Sequence, residues 1–215
     1  MKYKALFCDL DGTILDTLDD LVTAVNTALK NNGFPLRNKS EVRSYLGYGS
    51  DYLIKRALPD DASEVQFEKV YREYKAYYKV NNAVDTLPYQ GVTELLARAK
   101  ASGMRLAIIT NKPQEIADIL ANHYFPGIFE LVLGQSDKYN IKPDPEMLAI
   151  ALNHFNLQVE DAFFFGDSLV DMEFAKNTKI DYALVSYGFV DKIRLEEVDP
   201  KHVIDEVGEI WPLIA

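Results

Sequence analysis

Two aspartates at the end of the first apolar run are the residues best suited to chemistry. Asp9 and Asp11 follow Ala5-Leu6-Phe7-Cys8, which predicts a short strand, and Gly12 comes directly after them. Ligands of an open parallel sheet bind beyond the carboxyl ends of its strands. One carboxylate there could attack an electrophile while the other exchanges a proton with the leaving group. Gly12 would let the chain turn without a side-chain clash. Taken alone, turn formation or capping explains the pair equally well.

A second pair of acidic residues follows another apolar run. Asp167 and Asp171 come after Phe163-Phe164-Phe165-Gly166, and their spacing would place them on one face of a helix that begins at once. The structural alternatives are a helix cap for Asp167 and a solvated helix carboxylate for Asp171. If both strand ends meet in one crevice, four carboxylates converge and need a counter-charge. A hard divalent cation would supply it, and Mg²⁺ suits a site that also holds a phosphate.

Two further stretches could bind that phosphate. Thr110 and Asn111 end the apolar run 106–109 and offer a hydroxyl and backbone N–H groups. Lys142 precedes Pro143, which disfavours helix at the lysine and stiffens the segment, so the ammonium could be aimed into the crevice. Considered alone, Lys142 is more simply an ordinary surface lysine.

The strands that would carry these residues alternate with helical patterns. Besides the first run, apolar runs at 106–109, 129–133, 162–165 and 182–185 are typical of strands covered on both faces. Segments with helical spacing lie between these runs. Strands that alternate with helices predict an α/β fold with a parallel sheet wrapped on both faces.

One segment interrupts this alternation. A strand–helix–strand crossover needs about 30 residues, and many more separate the first apolar run from the second. They carry two amphipathic stripes, at 18–29 and at 67–78, which indicate helices packed through these faces. We therefore expect an all-helical cap domain over residues 16–85 and an α/β core domain over residues 1–15 and 86–215.

Composition argues against several classes of partner. The 215 residues include 23 Lys and Arg against 33 Asp and Glu, a net charge of −10, whereas binders of nucleic acid or anionic membranes present a basic face. No apolar run approaches the roughly 18 residues of a membrane span. A single cysteine, Cys8, suits a reducing cytoplasm. We expect a cytoplasmic protein whose partner is a small molecule, with no nucleic acid and no membrane.

The ordered set of motifs resembles the haloacid dehalogenase-like (HAD) superfamily over essentially the whole chain. In order, the motifs are Asp9-Leu10-Asp11-Gly12-Thr13, Thr110-Asn111, Lys142-Pro143 and Gly166-Asp167 with Asp171. Motifs in this order are far more specific than any one of them alone. The resemblance implies a Rossmann-like parallel sheet with a small helical cap inserted after the first motif.

The resemblance also implies roles for the motif residues. Asp9 is the nucleophile that forms an aspartyl-phosphate. Asp11 is the general acid for the leaving alkoxide and then the base for the hydrolytic water. Lys142 bridges Asp9 and the phosphate. The other implied phosphate-binding groups are Gly12, Thr110 and the amide of Asn111.

A Mg²⁺ site is implied as well. The implied ligands are the carboxylates of Asp9 and Asp167 and the backbone carbonyl of Asp11, with Asp171 as a further ligand or an anchor of the metal's water shell. An attacking carboxylate and a phosphate monoester are both anionic, so Mg²⁺ and Lys142 would cancel their repulsion.

The cap segment has a finer resemblance. Residues 45–49 and 53–58 look like the cap of phosphoglycolate phosphatases and their near relatives. Arg43, Lys55 and Arg56 are the cations near the turn in this segment, and one of them could meet an anionic substrate. A solvated surface position is the alternative for all three. We expect the cap to hinge near its junctions with the core.

We therefore expect a cytoplasmic Mg²⁺-dependent phosphatase of small phosphorylated metabolites, similar to phosphoglycolate phosphatases. A sugar-phosphate mutase of the β-phosphoglucomutase kind, a pyrophosphatase and a nucleotidase are alternatives on the same scaffold. A non-catalytic binding module would not need the acid–base aspartate. The sequence leaves the choice between monomer and homodimer open.

Overall fold

A central sheet of six parallel strands organises the computed structural model, which describes residues 1–215. The strands of the protein are β1 (Ala5–Cys8), β2 (Leu15–Asp16), β3 (Leu87–Pro88), β4 (Arg105–Pro113), β5 (Leu131–Gln135), β6 (Ala162–Gly166), β7 (Asp181–Val185) and β8 (Val203–Ile204). The central sheet has the order β5-β4-β1-β6-β7-β8, and all its neighbours run parallel. The predicted α/β fold is confirmed, and the short β8 is a strand that the apolar runs did not indicate.

The position of β1 between β4 and β6 brings three motifs to one edge of the sheet. Cys8, the last residue of β1, is in register with Ile108 of β4 and Phe165 of β6. The residues that follow these three positions therefore lie side by side. Since the strands are parallel, they share the carboxyl edge of the sheet, where ligands of such sheets bind.

Helices cover both faces of the sheet because β1 is apolar on both sides. Leu6 and Cys8 belong to one buried apolar cluster, whereas Ala5 and Phe7 belong to the other, as the alternation of side chains along a strand requires. The helices are α1 (Leu18–Asn31), α2 (Lys39–Ser44), α3 (Ser50–Ala57), α4 (Glu64–Val80), α5 (Val92–Ala101), α6 (Gln114–Tyr124), α7 (Glu146–Phe155), α8 (Leu169–Thr178), α9 (Lys192–Glu196) and α10 (Ile210–Ile214). No helix combines the length and the apolar character that crossing a membrane requires.

Helices α1 to α4 form the insertion that the sequence indicates. The predicted stripes are their buried faces: α1 buries Leu21 and Val25, and α4 buries Val70 and Tyr74. Both ends of the insertion leave the core together, because β2 and β3 pair antiparallel. We keep residues 16–85 as our proposal for the extent of the cap.

Candidate active site

Asp9 and Asp11 open into a cavity of about 320 Å³ between the sheet edge and the helical insertion. This volume is at the small end of the range for small-molecule sites. The Asp9 side chain is 12% exposed, and its Oδ2 lies 3.0 Å from the ammonium of Lys142. Its Oδ1 accepts a hydrogen bond of 2.6 Å from the backbone N–H of Leu10. These contacts hold the Asp9 carboxylate still while one edge of it faces the cavity.

Gly12 allows the first motif to approach Asp167 closely. Its φ is +76°, and a Cβ at this position would lie 2.2 Å from Oδ2 of Asp167. Any other residue would therefore clash with that carboxylate as well as strain the backbone. The neighbouring Thr13 donates a hydrogen bond of 3.1 Å to Oδ1 of Asp167. Gly12 is not among the residues that line the cavity, so its predicted contact with phosphate stays a prediction.

Asp171 is a buried anchor at the start of α8. Its Oδ2 accepts hydrogen bonds from the hydroxyl and the backbone N–H of Ser168, at 2.6 and 3.0 Å. Ser168 is the N-cap of α8, so the helix begins at Leu169. The idea that a helix begins at once and carries both aspartates on one face is wrong, because Ser168 caps it and leaves Asp167 outside. The alternative of a solvated Asp171 is also wrong, since its side chain is 0% exposed.

Lys142 joins the first and the last motif through one buried ammonium. Its Nζ lies 2.6 Å from Oδ1 of Asp171 and 3.0 Å from Oδ2 of Asp9, and the side chain is 1% exposed. Burial lowers the pKa of Lys142, but the two carboxylates outweigh burial and raise its pKa above the ordinary value. The alternative of a surface lysine is therefore wrong, and Lys142 is a permanent positive charge behind Asp9.

The acidic residues around Lys142 have the chemistry of a divalent-cation site. Carboxylate oxygens of Asp9, Asp167 and Asp171 lie within 4.8 Å of one another, and all three residues are buried. Burial and the neighbouring Asp171 carboxylate raise the pKa of Asp9 to about 6, although the Lys142 ammonium opposes them. The same two causes raise the pKa of Asp167 well above its usual range. One ammonium leaves this cluster with excess negative charge, which a hard cation with oxygen ligands would neutralise. Asp9 and Asp167 fit this role best, because they line the cavity and Asp171 does not.

Thr110 and Asn111 line the cavity beside Asp9 and are buried. The side-chain N–H groups of Asn111 donate to the carbonyl oxygens of Gly47, at 3.0 Å, and Lys142, at 2.8 Å. Asn111 therefore connects the end of β4 to the turn before α3 and to the lysine segment. The structure brings these predicted phosphate-binding residues to the site, while their contact with a phosphate stays a prediction.

Only one of the three predicted cap cations lies on the cavity. Arg43 lines it, and its Nη2 lies 3.1 Å from both the carbonyl oxygen of Gly188 and a carboxylate oxygen of Asp191. Lys55 and Arg56 are absent from the lining. Their cationic groups lie over aromatic rings of the insertion, Lys55 over Phe67 at 4.8 Å and Arg56 over Tyr45 at 5.6 Å.

Two cavity-lining cations escaped the sequence analysis. Lys112 is buried at the end of β4 and bonded to Asp11 at 2.8 Å. Its position directly after Thr110-Asn111 is the one signal that could have indicated it. Arg194 of α9 also lines the cavity, and no local pattern marks it. The other two lining cations, Arg43 and Lys112, are ion-paired with Asp191 and Asp11.

Comparisons with known proteins agree with this fold. Residues 6–185 match the haloacid dehalogenase-like hydrolases. The chain is 32% identical to the phosphoglycolate phosphatase of Nitrosococcus oceani, over 99% of this chain and 96% of that protein. It is 33% identical to that of Nitrosospira multiformis, over 100% of this chain and 96% of that protein. The crystal structure of a predicted phosphoglycolate phosphatase from Haemophilus somnus superposes with a TM-score of 0.94 at 28% identity, covering 100% of this chain and 99% of that one.

The family match begins within β1 and ends with β7, so it includes all four motifs. The relatives extend the similarity beyond that match to essentially the whole chain. The expected resemblance to phosphoglycolate phosphatases and the expected enzyme class are confirmed, and the chain belongs to the haloacid dehalogenase-like hydrolases.

Proposed function

We propose that this hydrolase removes the phosphoryl group from small phosphate monoesters, with an anionic substrate such as phosphoglycolate as the natural one. The observation that carries the proposal is that Asp9 and Asp11 face one small cavity, with Lys142 directly behind Asp9. A cavity of this size suits a metabolite and is too small for a large leaving group. The phosphoglycolate phosphatases among the relatives support the same class of substrate.

In the first half of the reaction, a carboxylate oxygen of Asp9 attacks phosphorus and the bond from phosphorus to the ester oxygen breaks. The product is an aspartyl-phosphate on Asp9. Asp11 gives its proton to the departing alkoxide, which leaves as the alcohol. Lys142 holds the attacking carboxylate and offsets the repulsion between two anions.

In the second half, water attacks the phosphorus of the aspartyl-phosphate. Asp11, now a carboxylate, accepts a proton from that water, and the bond between phosphorus and the Asp9 oxygen breaks. Inorganic phosphate leaves and Asp9 is regenerated. Asp11 therefore regains from the water the proton that it gave to the leaving group, and the net reaction consumes one water for each ester.

Asp9 and Asp167, with the backbone carbonyl of Asp11, would hold the Mg²⁺ that we propose as the cofactor. The metal would neutralise charge on the transferring phosphoryl group. Asp171 instead bonds Lys142 and the start of α8, which supports a role as an anchor. The cytoplasm is the compartment that we propose, as inferred from the sequence.

Arg43 and Arg194 are the groups that we propose for the anionic end of the substrate. In the proposed roles, the core motifs reach only the phosphoryl group and the ester oxygen, so the rest of the cavity wall must recognise the remainder of the leaving group. Arg43 comes from the insertion and Arg194 from α9, and both line the cavity. A carboxylate on the leaving group would find a charge-assisted partner in either guanidinium.

A phosphate-release screen over phosphorylated metabolites tests the proposed function. We expect equal amounts of inorganic phosphate and alcohol, loss of activity with EDTA, and recovery with added Mg²⁺. The screen is repeated with a sugar bisphosphate, because a mutase would need it and would return an isomeric phosphate ester. Isomerisation without phosphate release would overturn the phosphatase, and full activity in chelator would overturn the metal dependence.

A further inference from the structure

Lys112 is a buried ammonium that connects the core to the helical insertion. Its side chain is 2% exposed. It donates to both carboxylate oxygens of Asp11, at 2.8 and 3.0 Å, and to the phenol oxygen of Tyr78, at 2.8 Å. A lysine ammonium has three N–H donors, so these three acceptors satisfy it completely. The carboxylate belongs to the loop after β1, whereas the phenol belongs to α4, so one charged group spans the boundary.

Both acceptors of the Lys112 ammonium are themselves held by neighbouring groups. Tyr78 is 2% exposed, and its ring stacks on Tyr74 with centroids 5.7 Å apart. Asp11 receives a third hydrogen bond, because the hydroxyl of Thr17 donates to its Oδ1 at 2.6 Å. Thr17 directly precedes α1. The direction of the Asp11 carboxylate is thus set by Thr17 and Lys112. The position of Thr17 depends on α1, and that of the Lys112 ammonium depends on Tyr78 of α4.

We propose that Lys112 and Tyr78 are positioning residues that orient Asp11 for proton transfer, and that Tyr78 makes this orientation depend on a seated cap. The inference rests on the proposed function, since it presumes that Asp11 moves a proton. Without the phenol oxygen, the buried ammonium lacks one of its three acceptors. The Lys112 ammonium can then rotate away from its contact with both oxygens of Asp11, and the Asp11 carboxylate changes its orientation as a result.

The nature of the leaving group shows whether proton transfer is impaired. An alkoxide is a strong base and needs its proton as the bond to phosphorus breaks, whereas p-nitrophenolate is a weak base and departs without one. A misdirected general acid therefore slows alkyl esters selectively. General damage to the fold or to phosphate binding would slow both kinds of ester equally. Two esters with uncharged leaving groups also avoid any effect of Arg43 and Arg194.

The experiment compares kcat/KM for propyl phosphate and p-nitrophenyl phosphate in wild type, Tyr78→Phe and Lys112→Met. We expect the ratio of propyl to p-nitrophenyl ester to fall roughly tenfold or more in both variants, part of the 10²–10⁴-fold that general acid catalysis supplies. Tyr71→Phe is the matched control. It also removes a hydroxyl from α4, one that pairs with Ser50 at 3.0 Å and does not line the cavity, and the ratio should not change.

A double variant completes the test. Once Asp11→Asn has removed the proton-transferring group, adding Tyr78→Phe should cause no further fall in the ratio, because residues that act as a unit are not additive. An unchanged ratio in Tyr78→Phe, or an equal loss with both esters, would overturn the inference. Lack of phosphate release by wild type from any ester would overturn the proposed function itself, and this inference would fall with it.

Discussion

Asp9, Lys142 and Asp171 form a chain of charges in which each residue depends on the next. The ammonium lies between the two carboxylates, at 3.0 and 2.6 Å. Buried charges are tolerated only when they are paired and hydrogen-bonded. Because Asp171 is fully bonded inside the protein and Asp9 faces the cavity, Asp171 positions the lysine and the lysine positions Asp9, the proposed nucleophile.

Asp9→Asn should abolish turnover and keep the fold. The amide has nearly the same shape as the carboxylate but cannot attack phosphorus, so we expect kcat to fall by about 10³-fold or more. Lys142 retains its contact of 2.6 Å with Asp171, so thermal unfolding should still be cooperative. Steady-state kinetics and calorimetry measure the two effects.

A phosphate mimic gives the positive control for the nucleophile. Beryllofluoride soaked into crystals of the wild type should form its adduct on a carboxylate oxygen of Asp9. An adduct on another residue, or near-normal kcat in Asp9→Asn, would contradict the assignment.

The junction between the insertion and the core is held by one carboxylate of α1. Asp20 is 3% exposed, and its Oδ2 accepts from the backbone N–H groups of Val84 and Thr86, both at 3.0 Å. Its Oδ1 accepts from the backbone N–H of Asp85, also at 3.0 Å. The segment that enters β3 thereby gains acceptors that no strand partner provides. If the cap hinges near Asp16 and Thr86, we expect these hydrogen bonds to Asp20 to stay intact while the cap moves relative to the core.

Asp20→Ala should destabilise the folded state by about 3 kcal/mol, since several buried donors would lose a charged acceptor. Asp19→Ala is the matched control. Asp19 is the preceding residue of α1, but it lies on the surface and pairs only with Lys39, so its loss should cost less than about 1 kcal/mol. Urea unfolding of both variants measures the difference. Similar losses in the two variants would contradict the proposed support.

At the scale of the whole molecule, the cavity exists only because the insertion lies against the core. Arg43 bonds the loop at Gly188, and Asn111 bonds the turn at Gly47. In the proposed function, one wall of the cavity carries the phosphoryl chemistry and the other walls recognise the leaving group. Closing such a site excludes bulk water during the first step, and opening it admits the hydrolytic water afterwards.

Substrate selectivity should follow the cations that line the cavity. We expect Arg43→Ala and Arg194→Ala each to lower kcat/KM for phosphoglycolate by roughly tenfold or more, the loss of a charge-assisted hydrogen bond. The loss with p-nitrophenyl phosphate should be much smaller, because its leaving group carries no carboxylate.

Lys55→Ala and Arg56→Ala are the controls, since these side chains lie over aromatic rings outside the cavity lining. The test is to measure kcat/KM for both esters in all four variants. A selective loss in the controls, or equal losses with both esters in the Arg43 and Arg194 variants, would contradict this assignment.

The amino-acid sequence by itself determined the α/β fold and which residues leave the sheet at its carboxyl edge. Asp9, Thr110 and Asp167 could be predicted there because each lies within two residues of the end of an apolar run, and a run of this kind predicts a strand. Parallel strands then have their exits on one edge. The helical insertion could also be predicted from the sequence, because its apolar residues recur with the period of a helix.

Only the tertiary structure decided what those side chains touch. Lys142 meets Asp171, and Lys112 meets Tyr78, across long stretches of chain, and no local spacing encodes such pairs. The same holds for the cations: Arg194 faces the cavity and Lys55 does not. The direction of a side chain depends on how its helix is rotated and seated against its neighbours. That placement depends on the burial of apolar surface contributed by the whole chain, so it is a property of the assembled core and not of any segment.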